Sequence, residues 1–163
     1  MSGPHLLVVF HAPSPGTRRL ADALVAGCLA EEVTEAVQAE APVALRVRTP
    51  FEAGPDDVRW ADAVVLGTTE NFGYMSGALK DFLDRTYYQV LDETPGLPWA
   101  LVVKGRFDDG SGTVASVQRI VAGLRWRQVQ PPTLVIGDVT DDAVERVTEL
   151  GMAMAAGLLT GVW

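Results

Sequence analysis

The chain has 163 residues and a formal net charge of −8 at pH 7. Its length suits one domain with a proper hydrophobic core, and we expect residues 1–163 to form a single domain. The acidic balance argues against a nucleic-acid-binding protein, which needs a basic surface. The single cysteine excludes an internal disulfide and any multi-cysteine metal site, and we predict no metal site.

The start of the chain lacks the features of a signal peptide. The segment MSGPHLLVVFHAP has no cationic region and only a short apolar run. No apolar stretch in the sequence approaches the roughly 20 residues that a membrane-spanning helix needs. These absences predict a cytoplasmic protein without a membrane partner.

Five short apolar runs alternate with helical patterns along the chain. The runs are bounded by polar residues, glycine or proline, which indicates buried parallel strands. The predicted strands are residues 6–10, 43–47, 63–67, 99–103 and 133–136. The predicted helices are one that starts at Gly16 or Thr17 and continues to Gln38, one turn at 56–59, 77–91 capped by Ser76, 113–125, and a last helix capped by Thr140.

This alternation predicts an α/β fold in which helices cover both faces of a five-stranded parallel sheet, a three-layer sandwich. The expected strand order is 2-1-3-4-5, whose switch point lies between the first and third strands. Open α/β sheets bind ligands at this point, outside the carboxyl ends of the strands. The loops after the first, third and fourth strands are therefore the candidate site.

The first loop, HAPSPGT, joins a strand to a helix N-terminus, an arrangement that binds anions through free N–H groups and the helix dipole. Ser14 and Thr17 add hydroxyl groups, and Arg18 or Arg19 could add charge. An N-cap role for the hydroxyl groups is the alternative. His11 is either a structural hydrogen bonder or a catalytic group.

The second loop, TTENFGYMS, mixes aromatic groups with threonine and glycine, which suits a planar heteroaromatic ring. Packing of Phe72 and Tyr74 onto neighbouring helices is the alternative. The third loop, KGRFDDGSG, has glycines that would let backbone approach a ligand closely. Its match to G-x-G-x-x-A follows the fourth strand, so we do not read it as a dinucleotide fingerprint. The sequence also lacks a Walker A motif, which excludes a P-loop NTPase.

Three segments, HAPSPGTRRLADAL, GTTENFGYMSGALKDFLDRTYY and VVKGRFDDGSG, resemble the flavodoxin-like, FMN-binding NAD(P)H-dependent reductase family. The resemblance spans nearly the whole chain, and the second segment, similar to G-T-P-x-x-F-G-x-M-S-G-x-L-K, is the most specific. It implies a flavodoxin-like fold and FMN as cofactor. It also implies NAD(P)H as electron donor and a small acceptor such as a quinone or free flavin. The resemblance leaves open whether the protein forms a homo-oligomer.

The resemblance also implies which residues bind FMN. The first loop corresponds to the phosphate-binding T-x-T-G-x-T pattern of flavodoxins, from which Ala12 and Pro15 depart. The second loop would line the ribityl chain and the isoalloxazine ring, and the third would approach the pyrimidine edge. The implied residues are His11, Ser14, Pro15, Gly16, Thr17, Thr68, Thr69, Glu70, Asn71, Phe72, Gly73, Lys104, Gly105, Asp109, Gly110 and Gly112.

No catalytic side chain is predicted, because a bound flavin carries the chemistry while the protein supplies orientation and electrostatics. Three functions remain open: an NAD(P)H-dependent oxidoreductase, a flavodoxin-type electron carrier with a protein partner, and an FMN-free interaction module. Glu70 would lower the potential of the flavin if it lay near the ring, and would have little effect if it faced solvent or a basic side chain. Cys28 shares the inward face of the first helix with Leu20 and Leu24, so its thiol should be buried and inert.

Overall fold

The computed structural model describes residues 3–163. Within this range one sheet is formed by strands that are rich in β-branched and other apolar residues, as expected for strands buried between two helix layers. No helix in this range is long and apolar enough to cross a membrane. The strands are β1 His5–Phe10, β2 Ala44–Arg48, β3 Ala63–Asn71, β4 Tyr74–Met75, β5 Pro98–Gly105, β6 Arg127–Gln128 and β7 Thr133–Ile136.

The parallel strands follow the order β2-β1-β3-β5, and both β6 and β7 pair with the outer side of β5. The predicted order is confirmed, with β5 as the predicted fourth strand and β7 as the fifth. The predicted number of strands is wrong, because two short strands were not foreseen. One is β4, which pairs antiparallel with β3, and the other is β6, which lies beside the start of β5.

Helices cover both faces of the sheet, which confirms the three-layer sandwich. Helices α1 (Pro15–Cys28), α2 (Glu31–Ala36) and α6 (Asp141–Thr160) share one core cluster with the sheet. Helices α3 (Pro55–Trp60), α4 (Gly77–Val90) and α5 (Ser111–Gly123) share the other. The N-caps predicted from sequence are confirmed, since Ser76 and Thr140 accept hydrogen bonds from backbone N–H groups three residues ahead.

The first helix ends earlier than predicted. It was expected to continue to Gln38, but the backbone of Ala30 is extended, with φ −60° and ψ 118°, and a separate helix, α2, starts at Glu31. Glu31 and Glu32 lie in the first turn of α2, where the helix dipole favours negative charge. The same residues that extend a helical pattern in sequence therefore stabilise the start of a new helix.

Helices α1 and α6 cross with their backbones in contact at two glycines. A Cβ on Gly27 would lie 2.0 Å from the carbonyl oxygen of Thr148, and a Cβ on Gly151 would lie 2.4 Å from that of Leu24. Real Cβ atoms do not approach so closely, so the crossing requires glycine at both positions. This contact holds the N-terminal helix of the chain against the C-terminal one.

Cys28 lies at the end of α1, with 2% of its surface exposed. Burial raises the pKa of its thiol to about 12. Because the thiolate is the reactive form, we expect the native protein not to react with an aromatic disulfide reagent between about pH 7 and 9, and the unfolded protein to react at once. Rapid labelling of the native protein would contradict this prediction.

Candidate active site

A cavity of about 480 Å³ opens at the carboxyl edge of the sheet. It lies where the start of α1, the end of β5 and the loop between β7 and α6 meet, so three segments far apart in sequence contribute to it. Its walls combine small residues, which leave room for a ligand, with basic side chains. The lining residues are Ser14, Pro15, Gly16, Arg19, Lys104, Arg106, Gly137, Asp138 and Val139.

The first loop forms a capping box at the start of α1. Ser14 Oγ accepts a hydrogen bond from the Thr17 N–H at 3.2 Å, and Thr17 Oγ1 accepts one from the Ser14 N–H at 3.0 Å. Thr17 is buried, with 2% of its surface exposed. Both hydroxyl groups are thus engaged in capping, whereas the N–H of Gly16 has no hydrogen-bond partner within residues 3–163.

His11 follows β1 outside the lining of the cavity. Its backbone N–H donates to the carbonyl oxygen of Gly67 at 2.9 Å, which extends the pairing of β1 with β3. Partial burial lowers the pKa of its imidazole, which favours the neutral form at pH 7. His11 therefore adds no fixed positive charge to the site.

The second loop is a β-hairpin rather than the irregular loop predicted from sequence. Strand β3 continues through Asn71, and the chain reverses at Phe72 and Gly73, whose φ angles are 56° and 69°. Positive φ at both central residues defines a type I′ turn, which matches the twist of the flanking strands. Sequence analysis ended the strand at Gly67, because the polar residues after it do not continue the apolar run.

Phe72 is unusual both in its backbone and in its exposure. A bulky side chain at positive φ is strained, and asparagine or glycine normally occupies this turn position. The phenyl ring is fully exposed, with a relative exposure of 106%. Because packing inside the protein does not explain the ring, its position suggests a contact with a ligand.

The base of the hairpin is anchored to α4 and α5. The buried Thr68 hydroxyl accepts a hydrogen bond from the Ser76 N–H at 3.0 Å, and the Met75 N–H donates to Ser116 Oγ at 3.1 Å. Glu70 Oε2 accepts a hydrogen bond from the Thr113 hydroxyl at 2.7 Å. Glu70 thus faces a neutral hydroxyl group rather than a basic side chain. The Thr68 hydroxyl is already engaged in hydrogen bonds within the protein.

The third loop packs against the hairpin tip. A Cβ on Gly112 would lie 2.4 Å from the carbonyl oxygen of Gly73, so this glycine makes room for the protein's own backbone. Gly110 has φ 82° and precedes α5. Asp109 accepts hydrogen bonds from the hydroxyl and the N–H of Ser111, which lower the pKa of its carboxyl group. Gly105 is also close-packed, since a Cβ there would lie 2.8 Å from the Ile136 side chain.

The structure brings part of the predicted set together. Ser14, Pro15, Gly16 and Lys104 line one cavity, and Thr69 is the β3 neighbour of Lys104. The residues of the hairpin and of the third loop form a second group beside it. Sequence reasoning missed Arg106, Gly137, Asp138 and Val139. Gly137, Asp138 and Val139 could have been found from the predicted topology, because the loop after the fifth predicted strand lies at the same carboxyl edge of the sheet.

Comparison with protein families identifies the chain. Residues 18–141 match the model of the NADPH-dependent FMN reductase family. The chain belongs to this family. The membership confirms the family predicted from the three sequence segments, and with it FMN as the cofactor.

Relatives of known identity support the assignment. The chain is 32% identical over 92 residues to an NAD(P)H dehydrogenase (quinone) of Acidithiobacillus ferrooxidans, covering 50% of this chain and 46% of that protein. It is 31% identical over 96 residues to the protein of the same name from Archaeoglobus fulgidus, covering 50% of each. The chain thus spans about half the length of these relatives. The flavodoxin-like fold is confirmed by an archaeal flavodoxin structure, with a TM-score of 0.75, 17% identity, and coverage of 94% of this chain and 98% of that one.

Proposed function

We propose that this protein is an FMN-dependent oxidoreductase that takes electrons from NAD(P)H and delivers them to a small acceptor, such as a quinone or free flavin. The observation that carries the proposal is the basic cavity at the carboxyl edge of the sheet, and the fully exposed ring of Phe72 supports it. The names of the two curated relatives support the quinone as acceptor. The cytoplasmic location stays a prediction.

The residues at this edge fit the parts of FMN. The cationic side chains of Lys104 and Arg106, together with the unpaired N–H of Gly16, suit its phosphate. Thr69 pairs with Lys104. Phe72 follows Thr69 by three residues, so at the rise of an extended chain its backbone lies about 10 Å from that of Thr69. This separation suits a phosphate that is joined to a ring system through an extended five-carbon chain.

The protein's own residues would bind and orient the cofactor. Phe72 would supply a flat apolar wall for the isoalloxazine ring, and the hairpin fixed by Ser116 and Thr113 would hold that wall in place. When bound, FMN supplies the redox chemistry by accepting electrons from a nicotinamide and passing one or two to an acceptor.

The test is to add FMN to the purified protein, remove unbound flavin, and measure NADPH and NADH oxidation with a soluble quinone. We expect a yellow protein whose flavin absorbance is bleached by a reduced nicotinamide without oxygen and restored by the quinone. If the protein binds FMN but a reduced nicotinamide does not bleach the bound flavin, the proposed oxidoreductase function is overturned. That result would favour the electron carrier, a function that the net charge of −8 would also suit. A protein that binds no FMN would favour the interaction module.

A further inference from the structure

Two cations in the cavity have no acidic partner. Lys104 and Arg106 are two residues apart at the end of β5, and both side chains line the cavity. Within residues 3–163 no carboxylate oxygen lies within the 4.0 Å of an ion pair from either side chain. The third cation, Arg19, is already neutralised by Asp141 at 2.6 Å. The cavity thus holds two cations that form no ion pair, and their charge is offset only in part by Asp138, which also lines it.

The electrostatics at Lys104 favour an added anion. Its ammonium group donates a hydrogen bond to the carbonyl oxygen of Gly105 at 2.8 Å. Burial and the neighbouring Arg106 both lower the pKa of Lys104, and Asp138 opposes them only in part. An anion placed between the two cations would remove their mutual repulsion.

The first loop, by contrast, has few donors left for a phosphate. Pro13 and Pro15 have no N–H groups. The N–H groups of Ser14 and Thr17 are engaged in the capping box. Within residues 3–163 the N–H groups of Ala12 and Gly16 stay without a partner, and a phosphate dianion accepts more hydrogen bonds than these two can donate.

We propose that Lys104 and Arg106 bind the phosphate of FMN, and that these side-chain charges replace the backbone donors that the two prolines remove. This assignment rests on the proposed function. It puts Lys104 at the phosphate rather than at the pyrimidine edge that the resemblance implied. It also means that affinity depends on exposed charge, so FMN is held less tightly as ionic strength rises.

The test compares Lys104→Met and Arg106→Met with wild type by titration of FMN and of riboflavin, which lacks the phosphate, using flavin fluorescence. Each substitution should weaken FMN binding about ten- to a hundredfold and leave riboflavin binding unchanged. The conservative variant Lys104→Arg, which keeps the positive charge, should retain most of the FMN affinity of wild type. Added sodium chloride should weaken FMN binding by wild type more than by the double variant Lys104→Met/Arg106→Met.

The matched control is Arg127→Met. Arg127 is an exposed cation that forms no ion pair with any other residue of the described range 3–163, and it lies beside Pro98 at the opposite end of β5. The Arg127→Met variant should bind FMN with the same affinity as wild type. Unchanged FMN affinity in both cavity variants, or an equal loss of FMN and riboflavin, would overturn this assignment alone. A wild-type protein that binds no FMN would overturn the proposed function and this assignment together.

Discussion

Gly151→Ala should lower the free energy of unfolding by about 3 kcal/mol, at the upper end of the usual cost of overpacking a core. The new Cβ would lie 2.4 Å from the Leu24 carbonyl oxygen and 2.8 Å from the Cys28 nitrogen. Both atoms belong to the backbone of α1, which cannot move aside as a flexible side chain can. For a protein of this size, the melting temperature should fall by about 6–12 °C.

Gly77→Ala is the matched control for Gly151→Ala. Gly77 is also a helical glycine, at the start of α4, and a Cβ there meets no atom within 4 Å. It should leave stability unchanged or raise it by roughly 0.5–1 kcal/mol, the helix preference of alanine over glycine. Urea unfolding, monitored by tryptophan fluorescence, measures the stability of both variants. Equal stability of Gly151→Ala and wild type would show that α1 and α6 can separate without cost.

Phe72→Asn should change stability and cofactor affinity in opposite directions. The φ of 56° is strained for phenylalanine, whereas an Asn-Gly pair is favoured in a type I′ turn, so the free energy of unfolding should rise by about 1 kcal/mol. Loss of the aromatic wall should weaken FMN binding by about tenfold. Thermal unfolding without FMN and fluorescence titration with FMN measure the two effects.

Phe51→Asn provides the comparison for Phe72→Asn. Phe51 is also an exposed phenylalanine, with 68% exposure, but its φ is not positive. It should neither gain stability by relief of strain nor lose FMN affinity. If Phe72→Asn kept full FMN affinity, Phe72 would have no contact with the ring, and its exposure would need another explanation.

Local sequence signals predicted the fold where a single physical cause decides the structure. Ser76 and Thr140 cap their helices because a hydroxyl group at that position satisfies a free N–H. The strand at 133–136 was predicted to the residue. The break after Cys28 was missed, because the residues on both sides of it favour a helix and Ala30, whose extended backbone separates α1 from α2, is itself a good helix former.

The candidate site was less predictable because tertiary contacts create it. The hairpin was not recognised, since phenylalanine at the first turn position conflicts with the usual preference for asparagine or glycine. Arg106 joins Lys104 in the cavity only because β5 continues beyond Val103, where the apolar pattern ends. Gly112 was expected to approach a ligand, but only the folded chain reveals that the carbonyl oxygen of Gly73 fills that space.

The division of the outer strand into β6 and β7 has a consequence for association between molecules. An uninterrupted strand at the edge of a sheet offers a continuous row of free N–H and C=O groups, to which a strand of another molecule can add. Here Pro131 and Pro132 lie between the two short pieces and provide no N–H groups. At the opposite edge, Arg46 and Arg48 of β2 share one carboxylate, Asp57, at 3.0 and 3.6 Å, and the positive charge that remains opposes pairing with an identical strand. Both borders of the sheet thus resist the edge-to-edge stacking that leads to aggregation.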